Sequence, residues 1–154
     1  MQVKEIMKTN IITIKKGTGL KETAKILADN KISGAPVVDE KGRLIGIISE
    51  KDIFRALYPD YEEFYLDTGL RVDFEKVEDR ISEILKLKVE DIMIKNVISV
   101  TPETSIVKIG AIMLARNIHR VMVLKENKPL GIVTRRDIYR AIFKEKMKLD
   151  LLTL

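Results

Sequence analysis

The sequence predicts an α+β fold made of two copies of one βαββα unit. Three observations carry that expectation. First, Gly46-Ile47-Ile48-Ser49-Glu50-Lys51-Asp52 is echoed by Gly131-Ile132-Val133-Thr134-Arg135-Arg136-Asp137, with the two aspartates 85 positions apart. Second, similar segments follow, Ile53-Phe54-Arg55-Ala56-Leu57 and Ile138-Tyr139-Arg140-Ala141-Ile142. Third, the register extends backwards. Val3-Lys4-Glu5-Ile6-Met7 aligns with Val89-Glu90-Asp91-Ile92-Met93, and the match continues through Asn10/Asn96, Ile12/Ile98, Thr18/Thr104, Ile32/Ile118 and Val37/Val123. A single deletion falls in the turn that holds Lys41-Gly42. A deletion in a polar turn, with apolar positions kept on both sides, is the mark of a structural repeat.

Each element has its own signal. Asn10–Ile14 and Asn96–Val100 are short β-branched runs and read as strands. Leu20–Asp29 and Ser105–Arg116 carry apolar residues at helical spacing (Leu20, Ala24, Leu27, Ala28; Ile106, Ile109, Ile112, Met113). Thr104 or Ser105 is the expected cap of the latter. Strands follow at Ala35–Val38 and Val121–Leu124, polar turns at Asp39–Gly42 and Lys125–Lys128, and third strands at Leu44–Ile48 and Leu130–Val133. A closing helix starts near Glu50 or Arg135. Tyr58-Pro59-Asp60-Tyr61 reads as a helix stop and turn. Phe74, Val77, Ile81, Ile84 and Leu85 then recur at helical spacing and predict a connecting helix. The resulting division is 1–57, 58–88, 89–145, and a helical tail at 146–154. A unit of about 55 residues buries too little to be comfortable alone, so two copies are expected to pack sheet to sheet and share a core.

Composition narrows the chemistry. The 154 residues are 45% hydrophobic and 33% charged, with no cysteine and a single histidine. Disulfides, zinc thiolates, iron–sulfur ligation and thiol catalysis are excluded, and one histidine makes no His-rich metal site. No apolar run is long enough to cross a bilayer. The opening Met1-Gln2-Val3-Lys4-Glu5-Ile6 lacks a signal peptide's apolar stretch, so a cytoplasmic protein is expected. The charge of +5 fits a lysine-rich solvated surface and also a polyanion partner. Abundant Lys, Glu and Ile suit a thermophilic source. The methionines read as core filler, with Met7 and Met93 packing the start of each repeat.

Ser-x-x-Asp and Thr-x-x-Asp at a strand-to-helix junction have two readings. One is a plain helix start, with Ser49 or Thr134 as N-cap and the acid in the first turn. The other is a ligand site, since free backbone N–H groups and the helix dipole favour an anion there. The two are compatible, because an acid at a helix end can still reach a ligand.

At this point the chain resembles the CBS-domain pair, or Bateman module. The carrying residues are the two Gly-h-h-Ser/Thr-x-x-Asp runs (h, apolar) and Ser33-Gly34-Ala35-Pro36-Val37-Val38-Asp39-Glu40. Ile118-His119-Arg120-Val121 is similar to a stretch in the nucleotide-sensing γ subunit of AMP-activated protein kinase. The resemblance covers nearly the whole chain apart from the insertion and tail. It implies a pseudo-twofold pair of repeats with two clefts. Each would take an adenosine-containing ligand such as AMP, ADP, ATP or S-adenosylmethionine, as a regulatory ligand and not a cofactor. One site would combine Ile132, Thr134, Arg136 and Asp137 with Asn10, Ile11, Thr18, Ser33, Gly34, Ala35 and Pro36. The other would combine Ile47, Ser49, Glu50 and Asp52 with Asn96, Val97, Thr104, Ile118, His119 and Arg120.

Those residue types suit the task. A carboxylate can take both hydroxyls of a ribose. Ser49 and Thr134 add hydroxyls, and Ile11, Val97, Ile47 and Ile132 can sandwich an adenine. Arg120, Arg135 and Arg136 are the phosphate clamps. Glu50 stands where the other repeat has Arg135, so a triphosphate there is repelled, and the Asp137 site is the better one for a phosphate. Arg55 and Arg140 are read as solvated and carry no role.

Three functions compete. A regulatory module, paired as a homodimer through the helices after Asp52 and Asp137 and signalling to a separate effector protein, is the reading adopted. A nucleic-acid-binding or transcription-linked protein is the alternative, weakened by few aromatics and no clear basic stripe. An enzyme is not expected, since no adjacent base serves Ser49 or Thr134 and no Walker lysine is present.

Overall fold

The computed structural model describes residues 1–58 and 74–147. A 3₁₀ turn at Val3–Glu5 leads into β1 (Ile14–Lys15), α1 (Leu20–Asp29), β2 (Gly34–Val38), β3 (Leu44–Ser49) and α2 (Glu50–Leu57). Next come α3 (Phe74–Ile84), α4 (Val89–Ile92), β4 (Ser99–Val100), α5 (Ile106–Ala115), β5 (Arg120–Lys125), β6 (Lys128–Thr134) and α6 (Arg135–Met147). The strands form two three-stranded sheets, β1-β2-β3 and β4-β5-β6. In each, the first pair is parallel (Ile14 beside Val37, Ser99 beside Met122). A helix spans each of those connections, as parallel strands require. β5 and β6 are antiparallel, and Glu126 and Asn127 make the turn between them with φ of 53° and 62°. Two positive φ values in a two-residue loop match the right-handed twist of the strands it joins. In the first repeat the turn uses Gly42 at φ 77°, and Lys41 N donates to Asp39 Oδ1 at 2.9 Å.

The chain folds into two compact units, each drawn from both repeats. The Asp137 unit comprises Met1–Ile11, Gly42–Leu44 and the described residues from Val97 on. The Asp52 unit comprises Ile12–Lys41 and Ile45–Asn96. Val3 is fully buried in the Asp137 unit among Ile109, Met113, Val121, Val123, Val133 and Ile138. Val89 takes the corresponding place in the Asp52 unit, with Ile14, Leu27, Ala35, Val37 and Ile48. The backbone repeats this match. Val3 N donates to Thr104 O and Val89 N to Thr18 O, both at 2.9 Å. So the opening turn of each repeat completes a core built largely by the other.

That exchange corrects one expectation. The strands expected over Asn10–Ile14 and Asn96–Val100 shrink to Ile14–Lys15 and Ser99–Val100. Upstream, Lys8 bridges Ile132 and Ile94 bridges Ile47, both antiparallel. A segment whose two ends pair with different sheets cannot run as one continuous strand. Ser105 holds the N-cap position of α5, but makes no side-chain cap bond. Thr104 Oγ1 instead lies 3.3 Å from Thr101 Oγ1. In the connecting helix Ile84 is buried, while Ile81 and Leu85 are exposed. The side chains of Phe74 and Val77, the turn at 59–61 and the tail at 148–154 lie outside the described residues. Among the described residues no helix is long and apolar enough to cross a membrane.

Met7 and Met93 pack against the two cores as expected, and two glycines let them do so. A Cβ on Gly131 would fall on the Met7 thioether, and one on Gly46 on that of Met93. Gly34 is tighter in a different way. An added Cβ would stand 2.8 Å from the Ile48 carbonyl oxygen, which belongs to a strand and cannot step aside. Gly34→Ala should therefore cost about 1–3 kcal/mol and lower Tm by several degrees. Gly19→Ala, where nothing lies within 4 Å, should stay within about 1 kcal/mol of the parent. Thermal unfolding followed by circular dichroism checks both.

Candidate functional site

The strand-to-helix junctions are the best defined polar features of the two units. In the Asp137 unit, Asp137 Oδ2 accepts from Thr134 N at 2.9 Å and from Thr134 Oγ1 at 2.6 Å. Asp137 N in turn donates to Thr134 Oγ1 at 3.2 Å. The Asp52 unit matches, with Ser49 N and Oγ donating to Asp52 Oδ2 at 2.8 and 2.7 Å and Asp52 N donating to Ser49 Oγ at 3.3 Å. These are reciprocal capping boxes, so the helix-start reading of both motifs holds. The caps draw the acids inward. Asp52 is 8% exposed, and the Asp137 side chain 13%. Each cap occupies Oδ2 and leaves Oδ1 outside it. In the Asp137 unit Lys8 Nζ lies 3.5 Å from Oδ1.

The N-terminus of α6 opens on a cavity of about 570 Å³ lined by His119, Arg120, Thr134, Arg135, Arg136 and Tyr139. Its walls hold three arginines, and the helix end adds a partial positive charge. Arg135 N donates to His119 O at 2.9 Å, and its Nη2 to Ile118 O at 3.1 Å. Arg135 Nε is buried and has no hydrogen-bond partner among the described residues. A buried donor without a partner costs free energy.

The structure regroups several residues singled out in the sequence. His119 and Arg120, which the resemblance assigned to the Asp52 site, line the cavity with Thr134 and Arg136. Ser33 and Gly34, assigned to the Asp137 site, flank the other junction. Glu50 N donates to Ser33 O at 3.0 Å, and Gly34 packs on Ser49. This is the mirror of the His119–Arg135 bond, since Ser33 and His119 are equivalent in the repeat. Ala35 is core. Pro36 is buried in β2. Thr18 and Thr104 serve the fold, accepting from Val89 N and Val3 N. Asn10, Ile11, Val97 and Ile118 belong to the Asp137 unit with Ile132, and Asn96 to the Asp52 unit with Ile47. Sequence reasoning missed Lys8 and Tyr139. Lys8 had a signal, because the repeat places it opposite Ile94, and a charge facing an isoleucine marks a local difference. Tyr139 aligns with Phe54, a hydroxyl facing none. Among the described residues no group of three or more His, Asp or Glu is placed to hold a metal ion.

Two βαββα units, each ending in a capped Ser/Thr-x-x-Asp, define a CBS domain pair. The chain belongs to the CBS-domain family, whose model matches residues 3–59 and 89–144. Among its relatives is MJ1426 of Methanocaldococcus jannaschii, an uncharacterised protein 35% identical over 156 residues, spanning 92% of this chain and 91% of that one. The crystal structure of MJ1225 from the same organism, described as a proposed archaeal homologue of γ-AMPK, superposes with a TM-score of 0.75 at 27% identity. The match covers 92% of this chain and 47% of that one. The CBS domain pair of MJ0100, solved in complex with 5′-methylthioadenosine and S-adenosyl-L-methionine, is similar with a TM-score of 0.67 at 28% identity. It covers 95% of this chain and 98% of that one.

The capping role of the acids has a measurable consequence. Asp52→Ala and Asp137→Ala each remove a cap and strand a backbone N–H. Each should lose about 0.5–2 kcal/mol of stability with no ligand present. Urea unfolding of the two variants measures that loss.

Proposed function

We propose that the chain is a regulatory module that binds adenosine-containing ligands, one at each capped junction. The observation that carries this reading is the arginine-lined cavity at the start of α6, beside an acid already held by its cap. Its volume of about 570 Å³ lies within the range of small-molecule pockets. Asp137 Oδ1 accepts from the ribose hydroxyls. The phosphate lies toward the helix N-terminus, with Arg120, Arg135, Arg136 and His119 as donors. Ile132 and Ile11 supply apolar surface for the adenine.

The Asp52 site offers the same acid and cap, but puts Glu50 where the other has Arg135. It suits an adenosyl ligand without a phosphate, such as a thioether or a sulfonium. The ligands of the related MJ0100 pair support that choice. The role is binding rather than turnover, in the cytoplasm, with the signal passed to a separate effector protein.

Isothermal titration calorimetry on the parent, Asp137→Ala and Asp52→Ala tests the assignment. Loss of the ribose acceptor should weaken AMP by about tenfold or more in Asp137→Ala and leave it nearly unchanged in Asp52→Ala. S-adenosylmethionine should show the reverse. Unchanged binding of both ligands in both variants would overturn the proposal.

The module acts as a homodimer through α2 and α6. Each helix, with its C-cap in the first case, presents a tilted aromatic pair at equivalent positions, Phe54 with Tyr58 (centroids 5.1 Å apart) and Tyr139 with Phe143 (4.5 Å). Phe54 is 63% exposed and Tyr139 49%. Large rings left in water are typical anchors of protein interfaces. Phe54→Glu should shift the sedimentation coefficient from dimer to monomer, and a parent that is itself monomeric at high concentration removes this part of the reading.

A further inference from the structure

Lys8 lies in the stretch before β1, where a lysine ordinarily counts as solvated surface. Its backbone is fixed. Lys8 N donates to Ile132 O at 2.9 Å, and Ile132 N donates to Lys8 O at 3.0 Å. Its Nζ stands 3.5 Å from Asp137 Oδ1, the carboxylate oxygen outside the cap. The Lys8 side chain is 66% exposed and that of Asp137 13%, so the ammonium meets the acid from the solvent side. The equivalent residue of the other unit is Ile94. It makes the same reciprocal pair with Ile47, at 2.8 and 2.9 Å. The backbone scaffold is shared and the side chain differs, charged in one unit and apolar in the other. A second exchange runs in the same direction, Arg135 against Glu50, at the first residue of each helix.

We propose that Lys8 is the residue by which the Asp137 site selects phosphate-bearing over uncharged adenosyl ligands. The inference rests on the reading of Asp137 as the ribose acid. A ribose hydroxyl that donates to Oδ1 competes with the ammonium for that oxygen. An exposed lysine–carboxylate pair is weak and screened by salt, so Lys8 yields. A ligand that carries a phosphate gives the released ammonium a new anion within reach of its flexible stem. A neutral nucleoside takes the oxygen and returns only solvent. Lys8 thus favours the anion and opposes the neutral ligand. A lysine that merely supported the fold would move both ligands in the same direction.

Calorimetry on the full chain with AMP and with adenosine, at low and high salt, tests this on the parent, Lys8→Met and Lys8→Arg. Methionine keeps the stem and removes the charge. AMP should weaken roughly 3–10-fold in Lys8→Met, the size of one screened charge contact, and its salt dependence should fall. Adenosine should hold its affinity or gain, and Lys8→Arg should keep the parent preference. An AMP-to-adenosine ratio indifferent to Lys8→Met, or two ligands weakened together, overturns the assignment while leaving the ribose reading in place. A parent that binds neither AMP nor adenosine overturns that reading and this one with it.

Discussion

The structure depends on a reciprocal exchange of backbone. Residues just ahead of the first strand of each repeat pair with the third strand of the other, Lys8 with Ile132 and Ile94 with Ile47. The contact needs glycine on the receiving strand, because a side chain at Gly131 or Gly46 would occupy the space of Met7 or Met93. Once those bonds form, Val3 and Val89 reach the two cores, where both are fully buried. A half-sized α+β unit has little apolar surface to bury by itself. Borrowing a turn from the other repeat supplies the missing contacts. It also brings the segment that carries Lys8 to the junction that carries Asp137, so the packing solution and the candidate site share one cause.

The capping boxes tie stability to chemistry more tightly than a surface acid would. A free aspartate on a helix end samples several rotamers, and a ligand must freeze one of them. Here Ser49 and Thr134 have already fixed the carboxylates through Oδ2, with Oδ1 left outside the cap. Part of the ordering cost is met in folding, before any ligand arrives. The helix start thus uses one oxygen of each carboxylate, and the proposed ligand site would use the other.

Much of this was legible in the sequence because a repeat tests itself. The register from Val3/Val89 to Asp52/Asp137 placed the first helix of each repeat within a residue of its observed ends, as at Leu20–Asp29, and the closing helices at their observed starts, Glu50 and Arg135. The first strands came out too long, because β-branched residues such as Ile11 and Ile12 mark extended chain and cannot say where pairing switches sheets. The capped junctions were legible in their residue types, and the neighbours of each junction less so. His119 and Arg120 stand beside Arg135 of their own repeat. Residues far apart along the chain meet across a hairpin through strand pairing, with Arg120 directly opposite Thr134, and pattern matching along the chain does not register that pairing. Lys8 was passed over because its ammonium is only informative once Asp137 Oδ1 is known to face it.

Apart from Gly34/Arg120, the positions that differ in charge between the two junctions give the fold mainly their backbone. Gly46/Gly131, Met7/Met93 and the capping pairs are the same or nearly so in both repeats, and each has a steric or hydrogen-bonding reason to be. Lys8/Ile94 and Ser33/His119 contribute backbone to the fold, through N and O at the bridge and through a carbonyl to the helix start. Glu50/Arg135 gives its N–H to that carbonyl, and the Arg135 side chain adds one bond, to Ile118 O. At Lys8 and Ile94, both exposed, the side chain can change charge at little cost to folding, since surface substitutions away from caps and cores shift stability only slightly. The duplicated junction therefore keeps its geometry fixed while its charge is free to diverge, and the +5 of the whole chain says less about what it binds than the difference between Arg135 and Glu50.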